Sequence, residues 1–382
     1  MKYPMFKVHM PVDEVMSKIE TVLRSGFLNE GIEVSEFTKK LSKYLKVKNL
    51  ILLNSCTSAL TIAYRIAGVK PGSEVISSSM TCIATNTPIV NLGGVIVWSD
   101  VKPETGAIDP DDIERKINSK TCAISYVNWG GNPSEIEKIY QIGQKYKIKI
   151  IQDAAHAFGS KWKERDLSYF ADFTCYSFQA IKHLTTGDGG ALVCNNDEDY
   201  KLAKKLKWFG YDRDATKDDK GEWKGQRWDA DIEQNEIGYK FNMNNITAAI
   251  GLVQLEYIDS MIIKNIKNAK IYEKSFKNSN YIEIIQIPKG SKSSYWVYTC
   301  IYKGSEENRD LLLEKLNNEG ISAGLVHLPN HKYTAFNEFK ADLPGTKTFA
   351  EHQISLPCGW WLSEDDCDFI AQKVLEISQN IT

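Results

Sequence analysis

Lys182 stands in the stretch SFQAIKHLTTGDGGAL, residues 177–192, just ahead of a run with three glycines within four residues. Glycines at 187, 189 and 190 permit backbone angles and close approaches that a side chain forbids, so a partner is expected against that backbone. Strand-like DFTCYSF leads into the segment, which puts the amine in a tight turn at a strand end. A lysine amine becomes a Schiff-base nucleophile once burial or a nearby cation lowers its pKa; without such a setting it is an ordinary surface charge.

Asp153 closes the apolar run IKIIQD and leads into AAHAFGS, whose small residues admit a flat ring or a second backbone. Its carboxylate suits a protonated pyridine nitrogen, keeping such a ring an electron sink, and equally suits the cap of a following helix. His156, three residues on, contacts the same ring in the first reading and is a partly buried structural histidine in the second. In NSCTSAL, residues 54–60, a strand ends and Ser55, Thr57 and Ser58 open a helix. Amides and hydroxyls converging there favour an anion, although a well-capped helix start that binds nothing looks the same. Ser177 adds a hydroxyl five residues before Lys182.

Such residues need a scaffold that gathers them. From residue 45 to 195, short apolar runs (NLILLNS, EVISSS, VIVWSD, TCAISYV, IKIIQDAA) alternate with amphipathic stretches, an α/β rhythm. Strands rich in Ile and Val with few alternating polar positions indicate a mostly parallel sheet buried on both faces. In such sheets ligands gather at the carboxyl ends of the strands. Residues 210–244 are polar, glycine-bearing and aromatic, and are expected to form a long functional loop or an arm that packs on a partner. A long helical pattern then joins a large domain, 1–260 with a helical segment at 1–30, to a smaller α+β domain, 261–382, carrying strand-like YWVYTCIYK and helix-like NRDLLLEKLNNEG.

The 47 basic residues nearly cancel the 49 acidic ones, for a net charge of −2, so no global field recruits nucleic acid or an acidic membrane and small-molecule chemistry is favoured. The N-terminus lacks the apolar core of a secretory signal and no apolar run reads as long enough to span a bilayer, so a cytoplasmic location is expected. Eight cysteines at 56, 82, 122, 175, 194, 300, 358 and 367 include no CxxC pair; neither a metal site nor a disulfide framework is expected.

Taken in order, the phosphate-cradling helix start, the ring-facing carboxylate, the hydroxyl and the lysine resemble the fold-type I pyridoxal phosphate (PLP) enzymes, and within them the DegT/StrS group of nucleotide-sugar aminotransferases. The likeness runs from SGFLNEGIEVSEFTKKLSKYL through NSCTSAL, IQDAAHAFGS, SFQAIKHLTTGDGGAL and GYKFNMNNITAAIGLVQL to the LP of ISLPCGWWLSEDD, most of the chain. The resemblance implies a mostly parallel seven-stranded sheet and a Schiff base between Lys182 and pyridoxal 5'-phosphate. It implies that Asp153 faces the pyridine nitrogen, that Thr57, Ser58 and Ser177 bind the phosphate, and that His156 sits beside the ring. In that family the GYKFNMNN segment reaches the neighbouring subunit's site, where an asparagine commonly touches the phosphate; Lys240 stands at that place here. A homodimer with shared active sites follows.

Three departures stand out. Cys82 occupies the place where relatives often stack an aromatic ring on the cofactor, so that face is covered by something smaller or by an aromatic from elsewhere. NWGGNP puts Gly130 where many relatives carry a tyrosine. GLVHLPNHKY resembles a substrate-facing segment, which makes His327 and His331 candidate substrate residues; His183, beside Lys182, is another. The implied reaction is a ping-pong transamination from an amino donor, L-glutamate being the expected one, to a keto sugar, most plausibly nucleotide-linked, for surface polysaccharide or deoxyamino-sugar synthesis. A small phosphorylated ketone is the alternative acceptor. Sugar dehydratases of the same group replace the lysine with histidine, whereas this chain keeps Lys182. A nicotinamide dehydrogenase shares the α/β rhythm but no G-x-G-x-x-G unit lies near NLILLNS, and a non-catalytic PLP-binding regulator shares the fold.

Overall fold

The structure, a computed structural model, describes residues 1–212, 232 and 236–381. Of the long polar stretch 210–244, residues 213–231 and 233–235 lie outside the described residues, and with them most of the expected loop or arm.

The strands of the first half are β1 (Leu50–Leu53), β2 (Glu74–Ser78), β3 (Val95–Ser99), β4 (Thr121–Val127), β5 (Lys149–Asp153), the two-residue β6 (Lys161–Trp162) and β7 (Arg165–Asp166), then β8 (Phe173–Ser177) and β9 (Gly190–Cys194). Seven of them form one sheet in the order β1-β9-β8-β5-β4-β2-β3. Every residue of β1, β8 and β9 is buried. The pleat explains why: Leu50 and Leu52 enter one apolar cluster while Ile51 and Leu53 enter the other, so helices must cover both faces. The expected mostly parallel sheet is therefore present.

Among the paired strands of this sheet, only β9 runs against its neighbours, antiparallel to both β1 and β8. A parallel partner needs a crossover of a dozen or more residues, whereas an antiparallel one needs only a turn. The turn from β8 to β9 is closed by Phe178 N–H donating to Gly189 O (2.8 Å) and Thr186 N–H to Phe178 O (2.9 Å). Lys182 lies within it, and so stays at the carboxyl edge of β8.

In the second half, β10 (Ile282–Ile284), β12 (Tyr298–Tyr302) and β13 (Gln353–Leu356) form a small antiparallel sheet, and β11 (Ser291–Lys292) pairs with β6. Helices Glu306–Asn318 and Glu364–Ile381 pack with the small sheet around a third core that includes Leu312, Leu316, Ile354 and Ile370. The helix Asn245–Phe276 joins the halves: Leu252 and Ile258 lie in the core of the large sheet, Tyr272 and Phe276 in that of the small one. Its middle is tied down as Asn268 Nδ2 donates to the carbonyls of Cys358 (3.2 Å) and Gly359 (2.9 Å).

This helix corrects one sequence expectation. By length and composition it is apolar enough to cross a membrane, with a mean hydropathy of 1.5 over its best window. Half of that window is buried inside the protein, against the helices Val12–Ser25, Ile32–Leu45 and Glu364–Ile381. A helix buried between two cores is apolar around most of its girth for that reason. The first residues also cross to the small sheet's side of the molecule, where Tyr3 N–H donates to Gly320 O and Ser322 N–H to Tyr3 O, both at 2.9 Å.

Candidate active site

Five segments meet at the carboxyl edge of the large sheet: the helix start after β1, the 79–82 turn after β2, the 128–131 turn after β4, Asp153 to His156 after β5, and the lysine turn after β8. At the first, Ser55 caps the helix Cys56–Ile66 by accepting from Ser58 N–H at 3.1 Å, and Ser58 Oγ donates to Asn54 Oδ1 at 2.7 Å. Thr57 is exposed on the first turn. Gly190 of β9 lies directly beneath: a Cβ there would come within 2.5 Å of Cys56 N and 2.7 Å of Ser55 O. The partner expected against the glycine-rich backbone is therefore this helix start. Gly190→Ala is expected to cost about 1–3 kcal/mol in a denaturant melt, because backbone rather than a flexible side chain must yield.

Asp153 is 3% exposed. Its Oδ2 accepts from Thr85 Oγ1 at 2.7 Å, its Oδ1 from Ala155 N–H at 3.0 Å, and Cys56 Sγ lies 4.0 Å from Oδ1. Burial pushes the carboxyl up from its ordinary range, opposed by the Thr85 hydroxyl, the Ala155 amide and the Lys182 charge. The cap reading is partly realised, since Asp153 does hold the next turn, but no helix follows.

The Lys182 side chain is half-buried, with its amine turned inward onto the Trp296 indole. Burial pushes the amine down to about 8, against the opposing pull of Asp153, Cys82 and Cys56. Lys182 and Asp153 each feel the other's charge across the carboxyl edge of the sheet. Ser177 is 7% exposed at the end of β8, where its Oγ accepts from Gln179 N–H at 3.4 Å. Cys82, partly exposed, precedes the helix Ile83–Asn91.

His156 is 1% exposed, and its Nδ1 has no hydrogen-bond partner. Its ring stacks on Trp296, with centroids 4.0 Å apart, and its Nε2 lies 3.4 Å from His327 Nε2. Burial, then the Lys182 charge, hold His156 well below the usual imidazole range and His327 down to about 4. The GLVHLPNHKY segment thus does bring His327 to the site. His331 meets the 79–82 turn rather than the His156 ring, its Nδ1 2.7 Å from Ser79 Oγ. His183 turns from the carboxylate: its Nε2–H donates to Ser294 O at 3.1 Å, and burial pushes it down to about 4. Lys240 is exposed, hydrogen-bonded to Asn242 Oδ1 and 3.8 Å from the Trp208 ring centroid. Its neighbour Phe241 accepts from Asn54 N–H at 2.8 Å, which places the segment beside the anion-favouring helix start.

Two residues at the centre were missed from sequence. Thr85 is legible in retrospect, on the first turn of the helix that follows the 79–82 turn, its hydroxyl 2.7 Å from that of Thr81. Trp296 is not, because it comes from the small-sheet half, 143 positions from Asp153 (296 − 153).

Comparison with known proteins agrees with this geometry. The profile of the DegT/DnrJ/EryC1/StrS aminotransferase family matches residues 11–375. A relative in Campylobacter jejuni, named UDP-4-amino-4,6-dideoxy-N-acetyl-beta-L-altrosamine transaminase, is 29% identical over 98% of this chain and 97% of its own. The Bacillus subtilis spore coat polysaccharide biosynthesis protein SpsC is 28% identical over 95% of this chain and 94% of its own. The putative sugar aminotransferase Spr1654 of Streptococcus pneumoniae, solved in PLP and PMP forms, superposes in its PLP form with a TM-score of 0.90 at 28% identity, all of both chains being covered. The dehydrogenase reading falls with these matches, and the chain belongs to the DegT/DnrJ/EryC1/StrS aminotransferase family of PLP-dependent transaminases.

Proposed function

We propose that the chain moves an amino group from an amino acid, L-glutamate first among donors, to a nucleotide-linked keto sugar in deoxyamino-sugar or surface-polysaccharide synthesis. One observation carries the reading: an amine lowered to about 8 and a buried carboxylate share the carboxyl edge of one sheet, each within reach of the other's charge. The acceptor class is supported by the names of the Campylobacter and Bacillus relatives.

The residues fit PLP. Asp153 is buried with one hydroxyl and one amide as its oxygen and nitrogen donors, which leaves acceptor capacity for a ring N–H. His156 Nδ1 is buried and unpartnered, and the capped start at residues 54–58 suits an anion. When bound, PLP supplies the electron sink that stabilises a carbanion at the donor's α-carbon. Lys182 would hold the cofactor covalently and its amine would serve as the proton carrier at the donor's α-carbon. Asp153 would keep a proton on the ring nitrogen; Thr57, Ser58 and Ser177 would hold the phosphate; His156 and Cys82 would border the ring. His327 faces substrate from the small-sheet half, and His183 anchors the lysine turn.

The working unit is read as a cytoplasmic homodimer, each site completed by the partner's Lys240. Val12, Met16, Leu23, Phe27, Leu28 and Ile32 are all exposed near the N-terminus, an apolar surface suited to a second copy. A monomer in sedimentation at working concentration would remove this part of the reading. The chain is also read as two domains, 1–260 and 261–382, hinged on the long helix.

The test is spectroscopic. Protein loaded with PLP is expected to lose its visible band on addition of L-glutamate and to regain it with nucleotide-linked keto sugars. No change with any amino donor would leave an inert PLP binder. Recovery with a small phosphorylated ketone in preference to the sugar nucleotide would favour that acceptor instead.

A further inference from the structure

We propose that the indole of Trp296 is the seat of the Lys182 ammonium, a positioning residue that holds this amine and favours its protonated form whenever it is not covalently engaged. The contact is direct, with Lys182 Nζ 3.6 Å from the ring centroid. An indole face attracts an ammonium through its quadrupole, more strongly than phenol or phenyl and more strongly where water is excluded.

The indole is held on several sides. Its Nε1–H donates at 2.8 Å to the carbonyl of Ile181, the residue immediately before the lysine, so the amine and its seat are fastened to the same piece of backbone. Trp296 N–H donates to Gly130 O at 2.9 Å. The ring stacks on His156 at 4.0 Å and on Phe6 at 4.8 Å, with interplanar angles of 16° and 25°. NWGG makes this approach possible: Gly131 has φ +102°, and a Cβ on it would lie 2.9 Å from Tyr295 N and 3.1 Å from Trp296 N. Gly131, rather than the departure at Gly130, thus clears the space through which the 295–296 backbone passes and this tryptophan reaches the lysine.

Other groups around the amine leave this role open. Asp153 acts on Lys182 through charge rather than a hydrogen bond. His156, His183 and His327 surround the amine as imidazoles that burial holds neutral, and the Lys182 charge pushes each further down. Burial itself opposes the ammonium. The indole is a favourable group in direct contact with it.

The proposal rests on Lys182 being the reacting amine, and its test reads that amine without cofactor or turnover, so failure here is separable from failure of the transaminase reading. Full-length protein stripped of cofactor is acylated with acetic anhydride across a pH series, and modification of the Lys182 peptide is measured by mass spectrometry. In Trp296→Leu the titration midpoint is expected to fall by about one pH unit, a roughly tenfold loss of proton affinity. Trp296→Tyr and Trp296→Phe should fall in between. A packing role alone would lower the melting temperature and leave the midpoint in place, so an unshifted midpoint in a folded Leu variant overturns the proposal. Should the Leu variant not fold, equal midpoints for Trp, Tyr and Phe overturn it.

Discussion

Lys182→Ala is expected to lower transamination by roughly 10⁴-fold or more and to abolish the visible band of PLP-loaded protein, since the variant loses both the covalent link and the proton carrier. The adjacent His183 cannot take over, because its Nε2–H is committed to Ser294 O and burial holds it to about 4. Folding should be little changed: the turn is closed by backbone bonds at Phe178, Thr186 and Gly189 that do not involve the lysine side chain. Absorbance spectra of wild type and variant, taken with matched circular dichroism, decide the matter. A band of ordinary strength in the variant would refute the assignment of Lys182.

Asp153→Asn carries the second-largest effect. Asparagine keeps the shape and can still accept from Ala155 N–H through Oδ1, while the Thr85 hydroxyl can rotate to accept from Nδ2. What is lost is the negative charge that holds a proton on the ring nitrogen, and the expected fall in turnover is about 10²–10³-fold with the cofactor still bound. The sign of a second consequence is determined by the same charge. Asp153 raises the Lys182 pKa, so its neutralisation should move that amine below its value of about 8. Labelling of the Lys182 peptide against pH measures the shift, and turnover at the wild-type rate would remove Asp153 from the proposed role.

Much of this was legible locally. The strand that ends in Asp153, the helix start at NSCTSAL and the turn holding Lys182 each follow from patterns within about 15 residues, because periodicity and turn chemistry act at that range. Other parts were not. NWGG was visible as a departure at Gly130, but nothing nearby showed that Gly131 admits the 295–296 backbone. The paired imidazoles of His156 and His327 lie far apart in the chain, and nothing local announces that they meet.

The boundary between the two kinds of information lies between the sheet and what folds over it. By itself the sequence determined the α/β architecture and the order in which chemical groups reach the sheet's edge, since hydrophobic alternation and strand ends are properties of short segments. Tertiary structure alone decided that Thr85 holds the carboxylate, that His327 meets His156 while His331 meets Ser79, and that Trp296 lies against the amine. Thr85 meets Asp153 within the large-sheet half, whereas the histidine and tryptophan contacts arise when the small-sheet half closes on it, and burial, which acts only in the assembled fold, is what moves the lysine's proton affinity.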